Sequence, residues 1–167
     1  MNKRYKIGIF GSGTDSVMED VQKRRAELES KMRSLCERLA AIGATKASLD
    51  YAGAFYDGNG AVNVSVEPTE KGFKVQANGP SVLFIEFGSG AKYGGGHPEA
   101  GEFWYGPGTW SDGPNGKGHW DNPNGWWLPK SAGGGKSWGN PPAAAMYNAR
   151  KEIEHQIRNA VKEVFGN

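Results

Sequence analysis

The chain has 167 residues, enough for one domain with a real core and too few for two comfortable ones. Its 20 basic and 18 acidic residues leave a net charge of +2, which excludes the strong basic footprint of a nucleic-acid binder. The single cysteine, Cys36, excludes an internal disulfide and favours a reducing compartment, and no stretch approaches the roughly 20 apolar residues of a membrane span.

Lys6 to Phe10 is a short apolar run ended by Gly11-Ser12-Gly13, readable as a strand or an N-terminal arm. Ser16 to Glu19 then fits a capping box, with serine at the N-cap and glutamate three residues on. Met18, Val21, Leu28, Met32, Leu35, Leu39 and Ile42 follow at three- and four-residue steps, one apolar stripe on a helix of roughly 40 Å. Gly43 is placed to end or bend this helix, and Ala47 to Phe55 to continue it as a shorter helical piece. Val62, Val64 and Val66 alternate with polar residues, as do Phe73, Val75 and Ala77 after a turn at Pro68 to Gly72. Asn78-Gly79-Pro80 turns the chain again, and Val82 to Phe87 is nearly continuous in apolar residues. The three runs predict an antiparallel meander.

Sixteen glycines lie between Gly88 and Gly139, and all six tryptophans between Trp104 and Trp138. Glycine makes backbone costly to order, whereas tryptophan carries a large apolar surface that needs a partner. A segment this long and this aromatic reads as a contact surface and not as plain linker. Asn115-Gly116 and Asn124-Gly125 are good hairpin turns, so part of it reads as a β-ribbon, with Lys130 to Gly139 the most mobile part. A last helix is predicted after Asn140 as N-cap, with Pro141-Pro142 in its first turn and Met146, Ala149, Ile153, Ile157, Val161 and Val164 on its apolar face.

The whole reads as one α+β domain over residues 1–167. Its parts are a helical region (14–56), a β-meander (61–88), a glycine- and tryptophan-rich insertion (89–140) and a C-terminal helix (141–165).

Motifs for chemistry are weak. Gly11-Ser12-Gly13 lacks the third glycine of a dinucleotide loop, since Ser16 stands there. Gly135-Lys136-Ser137 lacks the first glycine of a phosphate loop, since Lys130 stands there. His97, His119, His155 and Cys36 share no metal-ligand spacing, and Cys36 on the apolar stripe reads as a buried structural thiol. Glu99, Glu102, Asp112 and Asp121 read as solvated acids. No catalytic, cofactor or metal residue is assigned. Glu86, interrupting the run Leu83-Phe84-Ile85, either points to solvent from a one-sided sheet or makes a charged contact at a subunit interface. The tryptophans fold back as a satellite core, anchor a protein–protein contact or stack on sugar rings.

Four stretches in order carry a resemblance: Phe84 to Gly90 (FIEFGSG), His97-Pro98, Gly125-Trp126-Trp127, and Pro142 to Asn148 ending in Met146-Tyr147-Asn148. Together they resemble the gene-product-ten-like tail-component family of long-tailed bacteriophages, over roughly residues 5 to 165. The resemblance implies a non-enzymatic neck or tail-completion protein of the head–tail junction, located in the virion and assembled in the host cytoplasm. It implies homo-oligomeric rings that contact portal-connector and tail-tube or tail-terminator proteins, and the composition and motifs above predict no cofactor, no nucleic-acid specificity and no membrane. The expected interface residues are Glu86, Phe87, Trp104, Trp110, Trp120, Trp126 and Trp127. The alternative is a carbohydrate-binding module that recognises cell-wall glycans through the tryptophan-rich loop.

Overall fold

A computed structural model describes residues 14–54, 61–90, 92–93, 96–102, 124–128 and 134–166. It has an α+β architecture built from α1 (Thr14–Gly53), β1 (Asn63–Thr69), β2 (Gly72–Asn78), α2 (Val82–Phe87), β3 (Trp126–Leu128), β4 (Gly135–Ser137) and α3 (Ala145–Phe165). Lys6 to Phe10 and the Asn115-Gly116 turn lie outside the described residues.

Helix α1 is longer than its sequence signals suggest, 40 residues or roughly 60 Å. It begins at Thr14, so Ser16 lies inside it and is not its N-cap. It also runs straight through Gly43. A glycine inside a helix costs about 1 kcal/mol relative to alanine. Here the missing side chain makes room for Ile153, whose Cδ1 would lie 2.6 Å from a Cβ at position 43. Gly43 is therefore a notch for α3, not a breaker.

Helix α3 packs antiparallel against the C-terminal half of α1. Asn148 at its start bonds to Asp50, while Glu163 near its end pairs with Arg38. Small residues at the seam, among them Ala40, Ala47, Ala145 and Ala149, let the two backbones approach. Ala47, Ala145 and Ala149 form one buried cluster with Tyr51 and Ile85, and Val64, Ala77 and Met146 pack around it.

The expected meander is half present. β1 and β2 form an antiparallel hairpin in which Val64 faces Ala77 and Val66 faces Val75, as the alternation requires. The third run is α2, a short helix. A strand would send Ile85 and Glu86 to opposite faces, but both are buried here, and a helical turn can place both inward. Cys36 is half-buried, facing the start of β2 at Gly72, and is not a fully buried thiol.

β3 and β4 form a second, separate hairpin with Trp126 opposite Ser137 and Trp127 opposite Lys136. The ribbon expected in the glycine- and tryptophan-rich segment thus exists there. Asn124-Gly125 precedes it and does not turn it, and Gly135 to Ser137 is a strand. Among the described residues no helix is long and apolar enough to cross a membrane.

Candidate functional site

Helix α3 starts without a side-chain cap. Its N-cap residue is Ala144, which offers no acceptor and sits in the left-handed region at φ 50°. The amides of the first turn find their acceptor in Glu86. Its carboxylate accepts the Met146 N–H at 3.0 and 3.1 Å and the Tyr147 N–H at 3.2 Å. A negative charge at this end of a helix is favoured by the backbone dipole. The exchange is reciprocal: the Ala143 and Ala144 amides donate to the carbonyls of Ile85 and Glu86, where α2 ends. Each helix satisfies the exposed terminus of the other.

Glu86 is only 5% exposed. A carboxylate buried this far must be fully partnered. Besides the two amides it accepts the Tyr51 hydroxyl at 2.9 Å and meets His97 Nε2 at 3.2 Å. The His97 tautomer follows from its other nitrogen. Nδ1 accepts the Glu99 N–H at 3.0 Å, so the ring proton lies on Nε2 and is donated to Glu86. The His97 ring is tilted against Phe87 at 4.4 Å and meets Tyr147 edge-on at 5.8 Å. Burial first, then the charge of Glu86 and the bond to it, push the Tyr51 hydroxyl far above the ordinary value for tyrosine, so it stays a donor.

A second clamp lies beside the first. Ser89 and Asn140 are both buried. The Ser89 hydroxyl donates to Asn140 Oδ1, the Ser89 N–H donates to the Asn140 carbonyl, and Asn140 Nδ2 donates to the carbonyl of Phe84. Asn140 is therefore not the N-cap of α3. It ties the chain entering that helix to α2. The two backbones lie so close that a Cβ on Gly139 would sit 1.9 Å from the Ser89 carbonyl oxygen, at a φ of +93°. Gly90, at φ +81°, lies under the Trp126 ring and against the Trp138 carbonyl.

The expected interface residues therefore separate. Glu86, Phe87 and Trp126 are internal; Trp126 is 8% exposed. Glu86 does not face solvent, because the short helix α2 turns it into the core. Trp127 is 74% exposed. Trp104, Trp110 and Trp120 lie outside the described residues, as do Asp112, Asp121 and His119. Glu99 is paired with Arg150. Among the described residues no group of three or more His, Cys, Asp or Glu side chains could hold a metal ion.

Trp138, which is not among the expected interface residues, is half exposed and carries Lys136 Nζ 5.1 Å from its ring centroid. The strand pairing puts Trp127 and Lys136 on one face of the ribbon and Trp126 with Ser137 on the other, and Trp138, one residue past β4, carries its ring beside Lys136. Its signal was the period of two running from Lys136 to Trp138. Tyr51 and His97 as partners of Glu86 had no sequence signal of their own, since 35 and 11 residues separate them from it.

No protein-family model, curated protein or solved structure matches this chain.

Proposed function

We propose that the chain is a structural subunit of the head–tail junction of a tailed bacteriophage or prophage, acting by ring assembly and protein–protein contact. The observation that supports this reading is the convergence of the four stretches that resemble the tail-component family. Glu86, His97, Trp126 and the Met146-Tyr147 amides come from separate parts of the sequence and meet in or beside one joint. Motifs that meet in space form a structural unit, and here the unit is a buried, fully partnered anchor.

The joint presents the β3–β4 ribbon with Trp127, Lys136 and Trp138 outward. Aromatic side chains on a fixed frame are favoured anchors of protein interfaces. In the virion neck the partners would be further copies in a ring, with a head-to-tail contact, and portal-connector and tail-tube or tail-terminator proteins on its two sides. The same exposed tryptophans suit stacking on sugar rings, which gives a second reading as a cell-wall glycan module.

A pull-down of the tagged chain against the structural proteins encoded beside it separates the two. Capture of a connector or tail protein, with tryptophan fluorescence indifferent to wall fragments, is the expected result. Fluorescence changes with wall glycans and no protein capture would overturn the assembly reading.

A further inference from the structure

The apolar stripe of α1 does not face the core along its length. Its residue Leu35 is buried, and beyond it the core side of this helix is carried by Ala40, Gly43, Ala47 and Tyr51. Met18, Val21, Leu28 and Met32 are instead 47% to 57% exposed. Helix α3 stops at Phe165, whose ring lies beside Lys31, so the first turns of α1 extend past the last helix. Every described side chain from Val21 to Ser34 is exposed.

The spacing of this stripe, exposed from Met18 to Met32 and buried at Leu35, is regular. From Met18 the steps to Val21, Arg25, Leu28, Met32 and Leu35 alternate three and four. That is the a/d pattern of a coiled-coil seam, narrower than the stripe of a helix that packs on a globular core. Arg25 is the one polar residue among these positions, and it bonds along its own helix to Glu29 at 2.7 Å. A single polar a position sets register at a cost in stability.

The flanking charges decide direction. The g positions beside the seam are Arg24 and Lys31, and Glu29 is at e. Two antiparallel copies would set basic g positions against each other. Two parallel copies in register would place Arg24 of each copy against Glu29 of the other, the favourable g-to-e pairing.

We infer that the N-terminal half of α1 is a self-association surface, on which a second copy of this chain docks in parallel and in register along Met18, Val21, Leu28 and Met32. The inference rests on the assembly reading above and adds a two-fold contact between copies, separate from the head-to-tail contact of the ring.

The test is mass by light scattering on the full chain, with two variants. Leu28→Glu with Met32→Glu changes only exposed side chains, so its circular dichroism matches the wild type and its melting temperature falls only by the part that association adds. Cys36→Ser with Leu28→Cys places one thiol on the seam. The expected result is a wild-type mass at least double that of one chain, a single-chain mass for the double glutamate variant, and a Leu28→Cys dimer under mild oxidation. A wild type that stays single at high micromolar concentration overturns the inference. So does an oligomer that survives the two glutamates, or a seam thiol that fails to cross-link. These readouts do not involve connector or tail proteins, so failed capture in the pull-down leaves them unchanged.

Discussion

The Glu86 carboxylate caps a helix that begins about sixty residues later in the chain, accepting the Met146 N–H at 3.0 Å. Helices are usually capped by the residue at their own start. Here that residue is Ala144, and the cap is supplied by a buried acid on a neighbouring helix. One side chain thereby fixes α3 to α2 and, through Tyr51 and His97, to α1 and the segment after Gly90.

Removing the acid should therefore cost more than a surface change. Glu86→Ala leaves the Tyr51 hydroxyl, the His97 ring N–H and two helix amides without their acceptor. The expected loss is roughly 3 kcal/mol or more, measured by urea unfolding. Glu86→Gln keeps the shape but turns an amide donor toward donors, so it should also destabilise, by about 2 kcal/mol. A Glu86→Gln variant as stable as the wild type would mean the charge does not hold the joint.

Tyr51 gives the joint an alkaline pH dependence. Its hydroxyl is held far above the ordinary tyrosine value in the folded chain, by burial and by Glu86. A raised folded value means its contribution is complete below the unfolded value, about pH 10, and falls as pH rises beyond it. The wild type should lose stability more steeply than Tyr51→Phe between about pH 9.5 and 11. Equal slopes in the two unfolding series would remove Tyr51 from the joint.

Ala144 is strained. Its φ of 50° is a left-handed conformation that costs a non-glycine residue roughly 1–2 kcal/mol. Ala144→Gly relieves this strain and gives back part of it through greater unfolded-state freedom, so the expected gain is about 0.5–1 kcal/mol. A loss of stability would show that its buried methyl outweighs the backbone term.

The glycines of the second clamp are packing residues. Gly139→Ala would drive a Cβ into the Ser89 carbonyl at a φ of +93°, and should lower stability by several kcal/mol or prevent folding. Gly101→Ala meets nothing within 4 Å and should stay within about 0.5 kcal/mol of the wild type. Thermal unfolding of the two side by side checks this contrast.

Much of the scaffold was legible in local pattern. The long helix, the β1–β2 alternation and the last helix followed from apolar spacing, because each repeats over several turns or pairs. What failed was local in length or distant in contact. The run Val82 to Phe87 is too short for its period to separate strand from helix, and the need to bury both Ile85 and Glu86 settled it. Gly43 looked like a breaker because Ile153, the side chain that fills its notch, is far away in sequence. The stripe of α1 was legible as apolar, but its exposure depended on where α3 ends. The list of interface candidates mixed the two faces of one ribbon. Adjacent tryptophans look alike in sequence, while a strand sends Trp126 inward and Trp127 outward.

That division between a buried joint and an exposed aromatic face is the centre of the functional account. Its most direct test is the affinity of the chain for a captured connector or tail protein, compared between wild type, Trp127→Ala with Trp138→Ala, and Trp126→Ala. The outward pair should leave the melting temperature nearly unchanged and weaken binding by tenfold or more, the loss of an anchor worth about 1.4 kcal/mol or more. Trp126→Ala should destabilise the fold by about 3 kcal/mol. Undiminished affinity in the outward variant would contradict the account.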